Sequence, residues 1–314
     1  MKSTVAADKK DFIVPIEYHA DDYGLFPRQS KRILECHDKG SLNGVSVMPN
    51  SDYLDTCMEL LRPVQKDIAV TVHLNIIEGH CLCNPKEVPL LVNPEGIFRV
   101  SFGNLLVHSF LPGRRAYREQ LKREIRAQIY AVLPFLERGA AVRLDGHAHY
   151  HMLPVVFDAL MDVIHQEHLN VSYIRVPREH MSLYLRHWRV LQDFPAVNLL
   201  KVLILNILAR RNTRKYRSFL DTLEQRVFLG VFLSGRMYRE NVAMILPEAI
   251  RLAQKLHQGI EILAHPGGVY EQQDIVRLTN QNDISFLTSD CRRKEAALFL
   301  FEQQDVHEKE TVTV

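Results

Sequence analysis

The chain has 314 residues, 46% of them hydrophobic and 24% charged, an ordinary globular composition long enough for one large domain or two smaller ones. A net charge of +2 gives no bulk electrostatic case for nucleic acid as a partner, and five scattered cysteines (36, 57, 81, 83 and 291) argue against a disulfide scaffold. The opening MKSTVAADKKDF lacks the apolar stretch of a signal peptide, and no segment approaches the about 20 uninterrupted apolar residues of a membrane span, so the expected location is the cytoplasm.

Apolar runs alternate with amphipathic stretches, the pattern of an α/β protein on a mostly parallel sheet. Residues 12–20 (FIVPIEYHA) predict a first strand and 28–39 a helix stopped by Gly40. Residues 45–48 predict a second strand, followed by a helix capped by Ser51 and running to Leu61. Residues 67–75 (DIAVTVHLN) predict a third strand. The stretch 76–114, rich in Pro, Gly and Asn, is too long for a plain connection and reads as a functional or lid-like loop. Within it, His80-Cys81-Leu82-Cys83 is spaced too tightly for a zinc knuckle and has no second Cys/His pair, so these read as small buried or loop thiols. A helix over 117–137, a strand over 141–144, a helix over 155–165 and a strand over 172–176 (SYIRV) follow. Later strands are expected at 227–233 and 261–264, with a helix over 247–257 between them. No repeat, low-complexity linker or domain boundary is evident. A single (β/α) barrel-like domain over 1–314 is the simplest architecture, with seven or eight strands.

The ionisable residues gather where strands end, and loops beyond the carboxyl ends of strands build active sites in such folds. Neighbouring residues on a strand face opposite ways, so Asp21 and Asp22 share a site only if the chain leaves extended geometry there, which Gly24 makes feasible. Thr71, His73 and Asn75 fall on one face of the third strand. If the chain stays extended past 145, then Asp145, His147, His149 and His151 all project to one side. That pattern suits metal ligation, or ligation with a carboxylate orienting an imidazole. His265-Pro266 closes a last strand. One Asp and two His fit a facial site with open positions for water and substrate. Amide hydrolysis there needs a base and an acid, for which Asp21 and His265 are the natural candidates.

These segments closely resemble the YdjC-like carbohydrate deacetylase family, which includes chitooligosaccharide deacetylases and hopanoid-biosynthesis-associated members. His19-Ala20-Asp21-Asp22-Tyr23-Gly24 is similar to the family's NADDFG opening, with His and Tyr in place of Asn and Phe. Val72-His73-Leu74-Asn75 with Glu78-Gly79 resembles its HLN…EG segment, and residues 145–154 (DGHAHYHMLP) match its D-S/G-H-x-H-x-H-x-x-P segment. His265-Pro266-Gly267 resembles its HPG element, and Thr288, Ser289, Arg292 and Glu295 its closing T-S-x-x-R-x-x-E. The likeness runs from about residue 13 to about 298. It implies a (β/α) barrel of the polysaccharide-deacetylase type with long loop insertions, and removal of an acetyl group from an N-acetylated sugar or glycolipid. By position, Asp22, His73 and His147 are implied to bind one divalent metal ion, with Asp21 as catalytic base. The resemblance implies magnesium; two imidazoles are softer donors than magnesium prefers, which keeps zinc or another transition metal open. Arg175 also resembles a family position and would pair with Asp21 or grip the substrate; Asp145, His149, His151 and Asn75 complete the expected substrate-binding or supporting set.

Leu199 to Leu208 (LLKVLILNIL) is followed by Arg210, Arg211, Arg214, Lys215 and Arg217. Residues 199–217 read either as a helix lying on a membrane surface or greasy substrate, or as a cap helix packed on the barrel or in a homodimer contact with solvated arginines. Two rival functions share the site: a metal-dependent phosphoesterase on a similar barrel, and a non-catalytic sugar-binding protein.

Overall fold

Seven short strands, all parallel, define the architecture of the computed structural model, which describes residues 12–187, 196–278 and 281–301. The first eleven residues, on which the absence of a leader was read, lie outside the described residues. The strands are β1 (Ile16–Tyr23), β2 (Gly44–Val47), β3 (Ala69–Leu74), β4 (Val142–Gly146), β5 (Val171–Ile174), β6 (Arg226–Leu229) and β7 (Gly259–Ala264), in the order β5-β4-β3-β2-β1-β7-β6. The edge strands β5 and β6 do not pair as strands, yet the sheet curls until they meet. Glu224 N donates to Ser172 O at 2.9 Å, and the Arg226 guanidinium lies over the Tyr173 ring. The result is a seven-stranded barrel left open along one seam.

Register decides what each face carries. Glu17 sits opposite Glu261, Ser46 opposite Thr71, His73 opposite Asp145, and Arg143 opposite Tyr173, so one face is polar and lines the barrel interior. On the other face, Ala20, Val45, Val72, Leu144 and Ile262 are buried against the surrounding helices. These include α1 (Pro27–Asp38), α2 (Leu54–Leu61), α3 (Phe102–His108), α4 (Arg114–Val132), α5 (Pro154–Gln166), α6 (Ala196–Lys215), α7 (Arg239–Leu256) and α8 (Asp290–Phe299). Four carboxylates inside the barrel (Glu17, Asp21, Asp145, Glu261) face three guanidinium groups (Arg143, Arg175, Arg226), the pairing that buried charge requires.

Several boundaries differ from those expected. β6 ends at Leu229 rather than 233 because the N–H groups of Gly230, Val231 and Phe232 donate to the buried Glu179 carboxylate instead of a neighbouring strand. α7 begins eight residues before Pro247, which sits inside the helix. The stretch 76–114 is not a loose loop: Val88, Leu91, Val92 and Phe98 are buried, and α3 lies within it. Its Leu82 and Cys83 N–H groups donate to Glu124, and burial pushes the Cys83 thiol up to about 12, so it stays protonated.

The basic segment forms α6, a packed helix. Val202, Leu205, Leu208 and Ala209 are buried beneath it, Asn198 donates to Phe232 O and Ser234 O, and Asn212 donates to Met152 O. Arg211 and Lys215 pair with Asp158 of α5. No helix among the described residues is long and apolar enough to cross a membrane.

Candidate active site

The site is assembled at the carboxyl ends of β1, β3, β4, β5 and β7. At the end of β1 the chain does leave extended geometry: Asp22 has φ 67°, and the pairing with β2 shifts register between Ala20 and Tyr23. The turn lets both carboxylates approach one imidazole, with Asp21 Oδ2 at 3.9 Å and Asp22 Oδ1 at 3.7 Å from His73 Nε2. His147 Nδ1 lies 3.1 Å from Asp22 Oδ1. One donor atom each from Asp22, His73 and His147 falls within 4.8 Å of the others.

His73 is held in a defined tautomer. Its Nδ1–H donates to Asp145 Oδ1 at 2.7 Å, which turns Nε2 inward, and that buried nitrogen has no hydrogen-bond partner. A buried imidazole nitrogen aimed at two carboxylates and left without a partner is the arrangement that a metal ligand with a supporting carboxylate presents. Two further acidic clusters, Glu17–His19–Glu261 and His19–Asp21–Asp145, come equally close together. They are already paired with Arg143, Arg226 and Arg175; in the Asp22–His73–His147 group, Arg292 takes one Asp22 oxygen and Glu78 meets His147, which leaves the His73 Nε2 without a hydrogen-bond partner. The donor types and spacing of this group fit one divalent cation.

Asp21 and Arg175 form the second half of the site. One Arg175 nitrogen lies 2.9 Å from both Asp21 oxygens; the same guanidinium reaches Asp145 at 2.5 Å and Glu261 at 2.6 Å. Arg175 is fully buried against Asp21. Asp145 in turn accepts from Ser46 Oγ, which touches His19 Nε2 at 2.7 Å, while His19 Nδ1 meets Glu17.

The histidine run departs from the expected geometry. The strand ends at Gly146, and 147–152 forms a tight helical turn with Ala148 and His149 at φ 46° and 59°. His147, His149 and His151 therefore diverge rather than sharing a face. His149 packs edge-on to Phe228, and burial with the nearby Arg175 keeps its pKa well below the ordinary histidine value. His151 turns back so that Nε2–H donates to Arg175 O, and burial lowers it to about 4. Burial thus favours the uncharged form of both imidazoles. Gly146 makes the turn possible, because a Cβ there would meet the His151 ring at 2.8 Å.

Asn75 lies beyond β3 and shapes a turn. Its Oδ1 accepts from Ile77 N and Glu78 N, and its Nδ2 donates to Glu78 O. That turn presents Glu78, whose carboxylate lies 2.9 Å from His147 Nε2. Burial alone would lower the His147 pKa, but Glu78 and Asp22 raise it well above the ordinary value. Glu78 and Arg292 were not singled out as site residues, although both stand in the quoted motifs. Arg292 Nη2 donates to Asp22 Oδ2 at 2.9 Å. Against the cost of burial, Arg292, with His147, holds the Asp22 carboxyl well below the usual range. His265 follows β7; its backbone N–H donates to Glu295 and its Nδ1 is 3.6 Å from the same carboxylate.

Above Asp22 and His147 is a small hollow walled by Leu25, Met48, Glu78 and Phe286. It adjoins a longer cleft lined by Phe26, Asn50, Tyr53, His80 and Arg277, with which it shares Leu25, Met48 and Glu78.

The model of the YdjC-like protein family matches residues 16–303. The chain belongs to the YdjC-like family. A carbohydrate deacetylase of Thermoanaerobacter pseudethanolicus is 26% identical to this YdjC-like chain over 162 residues, 51% of the chain and 61% of that relative. The mouse carbohydrate deacetylase is 28% identical over 161 residues (51% and 49%), and a chitooligosaccharide deacetylase of Citrobacter koseri 27% over 139 (44% and 51%). The alignments thus span about half to three-fifths of these relatives' lengths. A solved structure from Enterococcus faecalis V583, described as a candidate cellobiose-phosphate cleavage protein, superposes with a TM-score of 0.58 at 16% identity. It covers 93% of this chain and 98% of its own, a likeness of fold.

Proposed function

We propose that this YdjC-like protein hydrolyses the acetamide of an N-acetylated sugar, with one divalent cation held by Asp22, His73 and His147. The carrying observation is the unpartnered Nε2 of His73 beside two carboxylates, only one of which the donor set needs. A bound cation there supplies Lewis acidity, polarising a carbonyl and making water more acidic. Asp21 then has the role of base. Arg175 fixes its orientation, and it accepts a proton from the water whose oxygen adds to the acetamide carbon. His265, braced by Glu295, donates a proton to the sugar nitrogen as the C–N bond breaks, releasing acetate and the free amine.

The cavity shape agrees with this reading. Leu25, Met48 and Phe286 give the small hollow apolar walls suited to an acetyl methyl, and Phe26 and Tyr53 in the adjoining cleft offer flat faces for sugar rings. The names of the relatives point to the same chemistry. The test is acetate release from a panel of N-acetylglucosamine oligosaccharides and glycolipids, with and without chelator, alongside phosphate esters. Chelator-sensitive acetate release is the expected result. Phosphate release, or sugar binding with no turnover, would overturn the proposal.

A further inference from the structure

The inner face of α6 is packed on the protein, while among the described residues its outer face is exposed. Leu200, Leu203, Ile207, Arg210 and Arg214 follow one another at spacings of three and four residues, which places them on one side of the helix. All five are exposed, with Ile207 at 64%. The stripe is apolar through its first turns and cationic through its last, and no Asp or Glu occurs from Ala196 to Leu220.

A second exposed apolar group is tied to the same helix through Asp158. It comprises Val107 in the last turn of α3 and Phe110 and Leu111 in the turn between α3 and α4, with Phe110 72% exposed. Arg114, the first residue of α4, shares the buried carboxylate of Asp158 with Arg211 and Lys215 of α6. One anchor therefore holds the turn and the carboxyl-terminal half of α6 together.

The charge pattern selects the occupant. A second copy docked in parallel would set Arg210 and Arg214 against themselves, and an antiparallel copy would set them against leucines. Neither neutralises the cations. A surface with an apolar phase next to fixed negative charge satisfies both halves of the stripe. We propose that α6, together with residues 107–111, docks the protein on an anionic lipid bilayer. The apolar side chains enter the acyl boundary, and Arg210 and Arg214 meet lipid phosphates. This proposal is independent of the deacetylation chemistry, since docking needs no turnover.

The test is flotation of the full chain with vesicles of phosphatidylcholine alone or with about one-third phosphatidylglycerol. The protein is expected to float only with the anionic vesicles, and to be released as salt rises. Leu200→Gln with Ile207→Gln, and separately Arg210→Glu with Arg214→Glu, should each lower the bound fraction roughly tenfold. Unchanged melting of both variants would show that folding is intact. Equal flotation of the variants, or wild-type protein that floats with neither vesicle, overturns the proposal. So does a wild-type dimer in light scattering that the Leu200/Ile207 pair dissociates.

Discussion

One guanidinium nitrogen of Arg175 lies 2.9 Å from both oxygens of Asp21; Arg175 is fully buried and Asp21 is 3% exposed. The base candidate is thus clamped from behind while its Oδ2 looks toward His73. A clamp of this kind fixes direction, which is what proton transfer at a defined atom requires.

Replacing Asp21 by Asn keeps the shape and removes the proton acceptor. Turnover is expected to fall by about 10²–10⁴-fold with bound metal retained, measured by acetate release and metal analysis on the same sample. Full turnover in Asp21→Asn would remove Asp21 from the role of base.

His147→Ala and His73→Ala should behave differently. Each deletes one of three donors, so metal content is expected to fall below stoichiometric along with activity. Chelation of the wild type should give the same loss, reversed by add-back. Comparing magnesium with zinc in that add-back tests the preference of two imidazoles for a softer ion.

Arg175 binds Asp21, Asp145 and Glu261 at once, and all four side chains are buried. Arg175→Met leaves three buried carboxylates without their cation. Such losses cost about 3–5 kcal/mol, and a marked fall in the urea midpoint is expected even with metal present. A midpoint unchanged from wild type would show that the barrel interior tolerates the uncompensated charge.

Asp158 makes acid sensitivity predictable. Burial opposes its ionisation, yet hydrogen bonds from Arg211, Lys215 and Tyr216 bring its carboxyl down to about 2 from 3.8. A depressed folded-state pKa adds stability above the unfolded value, lost as pH falls from about 4 toward 2. The contribution at neutral pH is ~2 kcal/mol. Asp158→Asn should lose roughly that at pH 7 and show a flatter stability profile between pH 4 and 2. Urea titrations across that range give the comparison.

The positions of the chemistry were legible in the chain. Asp21-Asp22 before a glycine, His73 closing an apolar strand and Asp145 with His147 are local patterns, and the strand ends they mark do converge. The alternation Glu17-His19-Asp21 and Arg143-Asp145 also stood in the sequence, but its meaning depends on which face turns inward. The expected same-side row of His147, His149 and His151 failed because the strand stops at Gly146 and two left-handed residues redirect the chain.

The sequence by itself determined the period-two polar and apolar patterning and the residues able to ligate or carry a proton, because these are properties of neighbours. Only the tertiary structure decided that Arg292, 270 positions from Asp22, reaches its carboxylate, that Arg175 pairs with Asp21, and that Glu78 meets His147. Charge pairing inside a curled sheet is set by which strands become neighbours, and that order is a global outcome of packing that no local pattern encodes.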